Sequence, residues 1–192
     1  MRRASTDDAR SVARLLTTAF SDDPVERWCL ACDDFSGLLE LQSARVVEEF
    51  VASERLWVVD DLSGVSAWFP PGADLGDDAV DAVVNPVLAA RGGSPARRTR
   101  FWEWVDDHHP HVAHWYVDLM ATDPVRWGTG TGTRLLQHGI EAPDSAGLPT
   151  FLITGNPRTV PWYERHGFTV TTCEDAPDGG PPVWFMLHLP PR

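Results

Sequence analysis

Three glycines at every second position, Gly128, Gly130 and Gly132, separate a predicted strand from a predicted helix. The strand covers about 113–122, and the amphipathic helix extends to about residue 142. Such a unit gathers unpaired backbone N–H groups at a helix N-terminus, where the helix dipole favours an anion. Glycine also lets the backbone approach a phosphate without an intervening Cβ atom. The stretch therefore predicts a phosphate-binding loop or, alternatively, a permissive turn within an α/β fold.

Two common phosphate-binding motifs are excluded, one by the glycine spacing and one by the composition. The dinucleotide fingerprint requires a third glycine where Thr133 stands. A Walker motif requires a lysine, and the sequence contains none. The missing lysine also excludes Schiff-base chemistry on that side chain.

The composition is that of one folded domain spanning residues 1–192, with 43% hydrophobic and 23% charged residues. The net charge of −12 argues against a nucleic-acid partner and favours a cationic ligand such as a small amine. No apolar run is long enough to span a membrane, and the N-terminus lacks the apolar core of a signal peptide. We therefore expect a cytoplasmic protein with no membrane partner.

The order of helical and strand patterns predicts a mixed α/β layer built on one sheet. Residues 56–61 and 65–71 read as a hairpin, whereas residues 21–36 show no clear period. The predicted helices are 6–20, 35–53, 77–91, 96–107, the one after the glycines, and 157–166. The other predicted strands are 1–4, 150–154, 168–173 and 183–189.

The cysteines do not form a recognisable chemical motif. Cys29 and Cys32 have the spacing of redox thiols, but they follow a helix and a turn rather than a buried strand. Cys173 stands alone, so no zinc site is predicted. We interpret all three as buried or incidental, and we expect no metal.

Two segments carry a family resemblance. Residues 115–136 resemble motif A of the GNAT superfamily of acyl-CoA-dependent N-acyltransferases, a bulged strand followed by the glycine loop. Residues 156–168 resemble its second signature, with Asn156, Tyr163 and Gly167 at the expected spacing. Further segments at 65–71, 114–124, 149–171 and 183–190 resemble the branch of puromycin N-acetyltransferases and their actinobacterial relatives. The resemblance implies a single-domain, GNAT-like α/β fold with a mixed, mostly antiparallel central sheet flanked by helices.

The resemblance also implies roles for named residues. Tyr163 would donate a proton to the departing CoA thiolate, although a core aromatic role is the alternative. Apart from the resemblance, strand alternation places Asp118 on the same face as Met120 and makes it a candidate general base, with the histidines 109, 111 and 114 as further candidates. A solvated or structural role is the alternative for each of these residues. The residues implied in binding acetyl-CoA are Met120, Ala121, Thr122, Trp127, Gly128, Thr129, Gly130, Thr131, Gly132, Thr133, Asn156 and Arg158.

Several of these assignments have a second interpretation. Trp127 stands where the superfamily has Gln or Arg, so only its backbone N–H is expected to face the pyrophosphate. Arg126, Arg134 and Arg158 are the cations expected near the CoA phosphates, or else surface charges. Asn156 would bond the pantetheine arm, cap the following helix, or do both.

The expected activity is transfer of an acetyl group from acetyl-CoA to a primary amine of a small molecule, by direct attack in a ternary complex. The alternatives are another acyl-CoA or a peptide N-terminus as acceptor, or a catalytically degenerate domain that only binds CoA or a ligand. A monomer or homodimer is expected. Residues 21–36 and 72–107 are expected to line the acceptor side.

Overall fold

The computed structural model describes residues 1–75 and 77–191. Short 3-10 turns at Thr6–Asp8, Pro124–Arg126 and Pro177–Gly179 connect the main elements. Within the described residues the strands are β1 (Arg2–Arg3), β2 (Leu56–Val58), β3 (Gly64–Phe69), β4 (Trp115–Thr122), β5 (Thr150–Thr154), β6 (Phe168–Asp175) and β7 (Pro182–His188). The helices are α1 (Ala9–Phe20), α2 (Pro24–Cys29), α3 (Phe35–Ala52), α4 (Asp77–Ala90), α5 (Pro95–Asp107), α6 (Thr131–Ser145) and α7 (Val160–Arg165).

The strands form one sheet in the order β1-β2-β3-β4-β5-β7-β6. All neighbouring strands are antiparallel except β4 and β5, which are parallel and connected through α6. A parallel pair needs such a crossover because the chain must return to the starting edge. The predicted mixed, mostly antiparallel sheet flanked by helices is confirmed.

A β-bulge lies in the middle of β4. Ala67 pairs with Leu119 and Trp68 pairs with Val117, so Asp118 is the extra residue of the bulge. On its other side, β4 pairs with β5 only over residues 115–117, although β5 continues to Thr154. The second half of β4 therefore diverges from β5, and a gap opens within the sheet.

Helices cover both faces of the sheet. On one face α1, α2, α3 and α5 bury a large apolar core that includes Phe50, Phe101 and Phe151. On the other face α6 and α7 bury a smaller core around Trp68 and Tyr163. A third apolar cluster joins α3 to α4. The gap in the sheet thus lies between two helical layers, which is where a buried site can form.

The structure differs from the predicted elements at two helices. Residues 21–36, without a clear period in the sequence, contain α2, in which the Asp23 carboxylate accepts hydrogen bonds from Val25 N and Glu26 N. Six residues are too few to reveal helical periodicity. The helix predicted at 157–166 begins only at Val160, because hydrogen bonds around Asn156 hold the preceding residues in a turn. No helix in the described part of the chain is both long and apolar enough to cross a membrane.

Candidate active site

A cavity of about 300 Å³ occupies the gap between β4 and β5. Its walls come from both helical layers, so it joins the two faces of the sheet. We call the part near α6 and α7 the donor end and the part formed by α1–α5 the acceptor end. Residues of β4 and the donor end that line it include Asp118, Met120, Ala121, Thr122, Trp127, Asn156, Thr159 and Tyr163. Residues of the acceptor end include Phe20, Asp23, Glu26, Leu39, Gln42, Val46, Phe50, Arg98 and Trp102.

The glycine loop presents a row of backbone donors. The first N–H that closes a helical turn of α6 is that of Arg134, which donates to Gly130 O at 3.0 Å. Among the described residues, no acceptor is bonded to the N–H groups of Gly128 and Gly130 or of residues 131–133. These groups form an unfilled set of donors at a helix N-terminus, the arrangement that binds phosphate.

Gly128 and Gly130 fit this use for a second reason. Their φ angles are +79° and +84°, a left-handed conformation that side chains rarely adopt. A Cβ atom built on either residue would meet no atom within 4 Å. The loop therefore has open space on the side from which a pyrophosphate would approach, and its conformation depends on glycine.

Trp127 does not contribute in the expected way. Its backbone N–H donates to Pro124 O at 3.3 Å, which closes a 3-10 turn, so this N–H does not face a phosphate. The N–H of Thr129 is likewise used, by Arg126 O at 3.2 Å. The indole of Trp127 is 64% exposed and lines the cavity. Any contribution of this residue must come from its side chain.

The three arginines expected near the phosphates are not equivalent. Arg126 Nη2 lies 2.6 Å from Asp61 Oδ2, an ion pair that occupies this cation. Hydrogen bonds from the Ser63 hydroxyl and backbone, then from Arg126, lower the pKa of Asp61 to about 2. Arg134 and Arg158 are exposed and form no ion pair with other described residues. These two remain available to an anion, whereas Arg126 has a structural partner.

Tyr163 lies at the meeting point of the smaller core and the cavity. Its ring packs against Trp162 and Phe168, with ring centroids 4.9 and 5.6 Å away. Its hydroxyl has no hydrogen-bond partner among the described residues, and the residue lines the cavity. Burial raises the pKa of Tyr163, so the phenol stays protonated at neutral pH. The ring is thus a core aromatic, and the residue also lines the cavity, so both interpretations from the sequence stay open.

Asn156 has one end of its side chain engaged. Its Oδ1 atom accepts a hydrogen bond from Arg158 N at 3.0 Å, which stabilises the turn before α7. The Nδ2 group has no acceptor among the described residues, and Asn156 lines the cavity. The capping and ligand-binding interpretations from the sequence are therefore compatible, because they use different atoms.

The bulge changes the position expected for Asp118. Tyr116, Leu119 and Ala121 pack in the larger core, whereas Val117 and Met120 pack in the smaller one. The prediction that Asp118 and Met120 share a strand face assumed that side chains alternate regularly along β4. The bulge interrupts this alternation at Asp118. Asp118 still lines the cavity. Beside it, residues 120–122 have no partner strand on the β5 side, so their backbone groups are open to the gap.

The candidate histidines lie elsewhere. His109 and His114 form a pair, with His109 Nδ1 and His114 Nε2 2.9 Å apart, and both line a separate cavity beside Phe69. His114 immediately precedes β4, whereas the gap lies at the other end of that strand. Burial, and then the neighbouring His114, lowers the pKa of His109 to about 4. His111 lines neither cavity. The prediction that one of these three histidines could act at the gap is wrong.

Sequence analysis did not single out Glu26, a partly buried carboxylate of the acceptor end. Protein atoms surround it, yet part of its surface remains open because it lines the cavity. Burial, then the charge of Asp23, raises the pKa of Glu26 to about 7. The only signal in the sequence was the Asp-Pro pair that starts α2, which places Glu26 one turn after Asp23.

The polar neighbours of Glu26 include a glutamine, an arginine and a buried thiol. Gln42 Nε2 donates to Glu26 Oε2 at 2.8 Å, and Gln42 Oε1 is buried with no hydrogen-bond partner among the described residues. Arg98 is 5% exposed and ion-paired with Asp81, and its positive charge partly offsets the rise in the Glu26 pKa. Cys29, on the same helix, is a free thiol whose pKa is raised by burial, the reverse of what a reactive thiolate requires.

Known proteins share both the sequence pattern and the fold. A protein of Schizosaccharomyces pombe described as an uncharacterised N-acetyltransferase is 24% identical over 186 residues, covering 87% of this chain and 73% of that protein. A Corynebacterium glutamicum structure, described as histone acetyltransferase HPA2 and related acetyltransferase, superposes with a TM-score of 0.68 at 23% identity, covering 100% and 96% of the two chains. Arylalkylamine N-acetyltransferase 2 of Aedes aegypti superposes with a TM-score of 0.59 at 11% identity, covering 98% and 97%.

The family assignment comes from the stretch that contains both sequence signatures. Residues 66–168, which run from β3 through the glycine loop to the end of the second signature, match the Acetyltransferase (GNAT) family. This match covers more than half of the chain. The protein therefore belongs to the GNAT family of acetyltransferases.

Proposed function

We propose that this protein transfers an acetyl group from acetyl-CoA to a primary amine of a small molecule. The observation that carries the proposal is the cavity in the β4–β5 gap. This one cavity extends from the side of the sheet that carries the glycine loop to the side on which Glu26 lies. A donor thioester and an acceptor amine entering from the two ends would meet at residues 120–122. Holding both in one cavity supplies the orientation that direct attack requires.

Each donor-end residue has a role in this proposal. The free N–H groups of the glycine loop would hold the pyrophosphate, with Arg134 or Arg158 adding positive charge. The open backbone of residues 120–122 and the Asn156 amide would hold the pantetheine arm, and a backbone N–H in the gap would stabilise the developing oxyanion. The Tyr163 hydroxyl would protonate the sulphur as it leaves. We propose that residues 1–192 act together as one acyltransferase domain.

A small-molecule acceptor is supported by the size of the cavity, which is at the lower end of the range for small-molecule sites. It is also supported by the resemblance of the sequence to puromycin N-acetyltransferases. One of the similar structures is described as an arylalkylamine N-acetyltransferase, which acts on amines, and another is described as related to a histone acetyltransferase. The enclosed walls of the acceptor end favour a free amine over a protein tail.

Two measurements on the purified protein test the proposal. Titration calorimetry should show stoichiometric binding of acetyl-CoA, and thiol release should appear when aminonucleosides, aminoglycosides, polyamines, arylalkylamines and amino acids are screened as acceptors. Absence of acetyl-CoA binding would overturn the proposed donor. Binding without thiol release from any amine would instead favour a degenerate, ligand-binding domain.

A further inference from the structure

Helix α2 brings Glu26 close to the catalytic gap through one glycine. A Cβ atom built on Gly155 would lie 2.4 Å from Val25 Cγ2, so α2 packs against the end of β5 at a distance that no side chain at 155 would allow. Gly155 directly precedes Asn156, which lines the donor end. Glu26 follows Val25 on α2 and faces the same cavity. The fold therefore places this carboxylate on the wall of the cavity in which acetyl transfer would occur.

Glu26 also has more spare hydrogen-bonding capacity than Asp23 or Asp81. The Asp23 carboxylate accepts two backbone N–H groups of its own helix, and Asp81 is paired with Arg98. Glu26 receives one hydrogen bond from the described residues, that from Gln42, although a carboxylate can accept about four. The buried and unpartnered Gln42 Oε1 is a second acceptor atom in the same place. The unused acceptor positions of Glu26 and the Oε1 atom of Gln42 indicate a ligand that brings N–H groups.

Apart from Asp23, Ser43 and Arg98, the other side chains that line the acceptor end are apolar. They include Leu16, Phe20, Leu39, Val46, Phe50, Val80 and Trp102. A second positive charge placed there would lose hydration among the apolar side chains and would meet only Asp23, whose carboxylate already accepts two backbone N–H groups. The lining therefore suits one ammonium group attached to an apolar body.

We propose that Glu26 binds the ammonium group of the acceptor and takes its proton, and that the acceptor is a singly charged primary amine with an aromatic or aliphatic body. This inference rests on the proposed function. A primary amine has a pKa near ~10 and arrives as an ammonium ion, which cannot attack a carbonyl until it loses a proton. Glu26 is thus a catalytic residue that both recognises the acceptor and activates it.

The protons balance in the following way. The ammonium gives one proton to the Glu26 carboxylate, and the neutral nitrogen then forms a bond to the thioester carbonyl carbon. As the C–S bond breaks, the sulphur takes the Tyr163 hydroxyl proton. The second proton leaving the nitrogen restores Tyr163, and Glu26 returns its proton to water. The products are the N-acetyl amine, CoA with a free thiol, and one released proton.

The pH dependence of Glu26 reflects groups on several elements. Asp23 on α2 disfavours its ionised form, and Arg98 on α5 favours it. Cys29 on α2 also interacts with it, Asp118 on β4 and Tyr163 on α7 line the same cavity, and Asp81 on α4 is ion-paired with Arg98. With these partners, kcat/KM should rise with pH through about 7 as Glu26 loses its proton.

The test compares Glu26→Gln, Glu26→Asp and the wild-type protein, using 2-phenylethylamine and putrescine as acceptors. Glu26→Gln should lower kcat/KM for 2-phenylethylamine by about 100-fold and remove the rise in rate near pH 7. Acetyl-CoA affinity, measured by calorimetry, should stay within about twofold because Glu26 lies at the acceptor end. Glu26→Asp keeps a carboxylate and should recover part of the activity. Glu40→Gln, an exposed carboxylate on α3, is the matched control and should behave as wild type.

The outcomes separate this inference from the proposed function. If the wild-type protein acetylates amines but Glu26→Gln keeps both its rate and its pH profile, Glu26 is not the base and only this inference fails. If wild-type protein uses putrescine better than 2-phenylethylamine, the assigned acceptor class is wrong. If wild-type protein neither binds acetyl-CoA nor releases thiol with any amine, the proposed function and this inference both fail.

Discussion

The two ends of the central cavity present different chemical groups. The donor end presents backbone N–H groups, side-chain hydroxyls and one amide, and its two key glycines adopt left-handed φ angles. The acceptor end presents ionisable side chains from α2 and α5, a glutamine from α3, and aromatic and aliphatic walls. A backbone site recognises a group shared by every acyl-CoA, whereas a side-chain site can be changed one residue at a time. Substitutions should therefore affect the two ends separately.

Tyr163→Phe should give the largest effect at the donor end. Removing the hydroxyl leaves the thiolate without its acid, so kcat should fall by about 100-fold, while acetyl-CoA affinity stays unchanged. The ring still packs against Trp162 and Phe168, so the variant should fold. Tyr116→Phe, whose ring lines the other cavity, is the control and should keep its kcat. An unchanged kcat in Tyr163→Phe would remove this residue from the proposed chemistry.

Gly130→Val should weaken acetyl-CoA binding by about 30-fold in calorimetry. A β-branched residue at a φ of +84° is strained by about 1–2 kcal/mol, and relieving the strain moves the N–H groups of the loop. Gly147→Val provides a matched control, because Gly147 follows the same helix with a φ of +68° and equally open surroundings. Both variants should lose similar unfolding free energy, but only Gly130→Val should lose affinity. Equal affinities would show that the loop does not hold the donor.

Glu26 should make wild-type stability depend on pH at the acceptor end. Its pKa is raised from 4.5 to about 7 in the folded protein, so the native state binds more protons than the unfolded chain in that range. Stability contributed by this group is therefore present below about pH 4.5 and is lost as the pH rises to about 7. In denaturant titrations, the free energy of unfolding of Glu26→Gln should rise by about 2 kcal/mol relative to that of wild type as the pH goes from 4.5 to about 7. A constant difference between the two proteins would mean that Glu26 titrates normally.

Trp127→Gln should have the smallest effect. Because the backbone N–H of Trp127 already serves the 3-10 turn, only the exposed indole is available to the donor. Its loss should weaken acetyl-CoA binding about threefold, the size of one exposed apolar contact, and leave the melting temperature unchanged. Unchanged or improved affinity would show that the indole makes no contact with the donor.

The donor end could be predicted from sequence because its determinants are local. The glycines, Asn156 and Tyr163 lie on two short segments whose spacing follows from a strand, a loop and a helix. The order and type of most elements were predicted for the same reason. Spacing did not reveal which backbone groups the local turns use, so the role expected for the Trp127 N–H was wrong. Of the two interpretations of Arg126, the ion pair with Asp61 supports the surface charge.

The acceptor end could not be predicted in the same way. Glu26 and Gln42 are brought together by packing of α2 on α3, and Arg98 reaches them from α5. Neither the six-residue helix nor the histidines near β4 carried a signal that separated a functional side chain from a structural one. The sequence indicated only that residues 21–36 and 72–107 line the acceptor side, and residues of α2 and α5 do line the cavity.

The bulge at Asp118 can be removed without exchanging the two cores. With the extra residue, Leu119 and Ala121 face the larger core and Met120 faces the smaller one. Deleting Asp118 would make Val117 and Leu119 neighbours that already face opposite cores, so pairing with β3 would become continuous while both cores keep their side chains. A one-residue deletion at this position should therefore leave a folded protein that has lost the bulge, which separates the contribution of the bulge to the gap from that of the two cores.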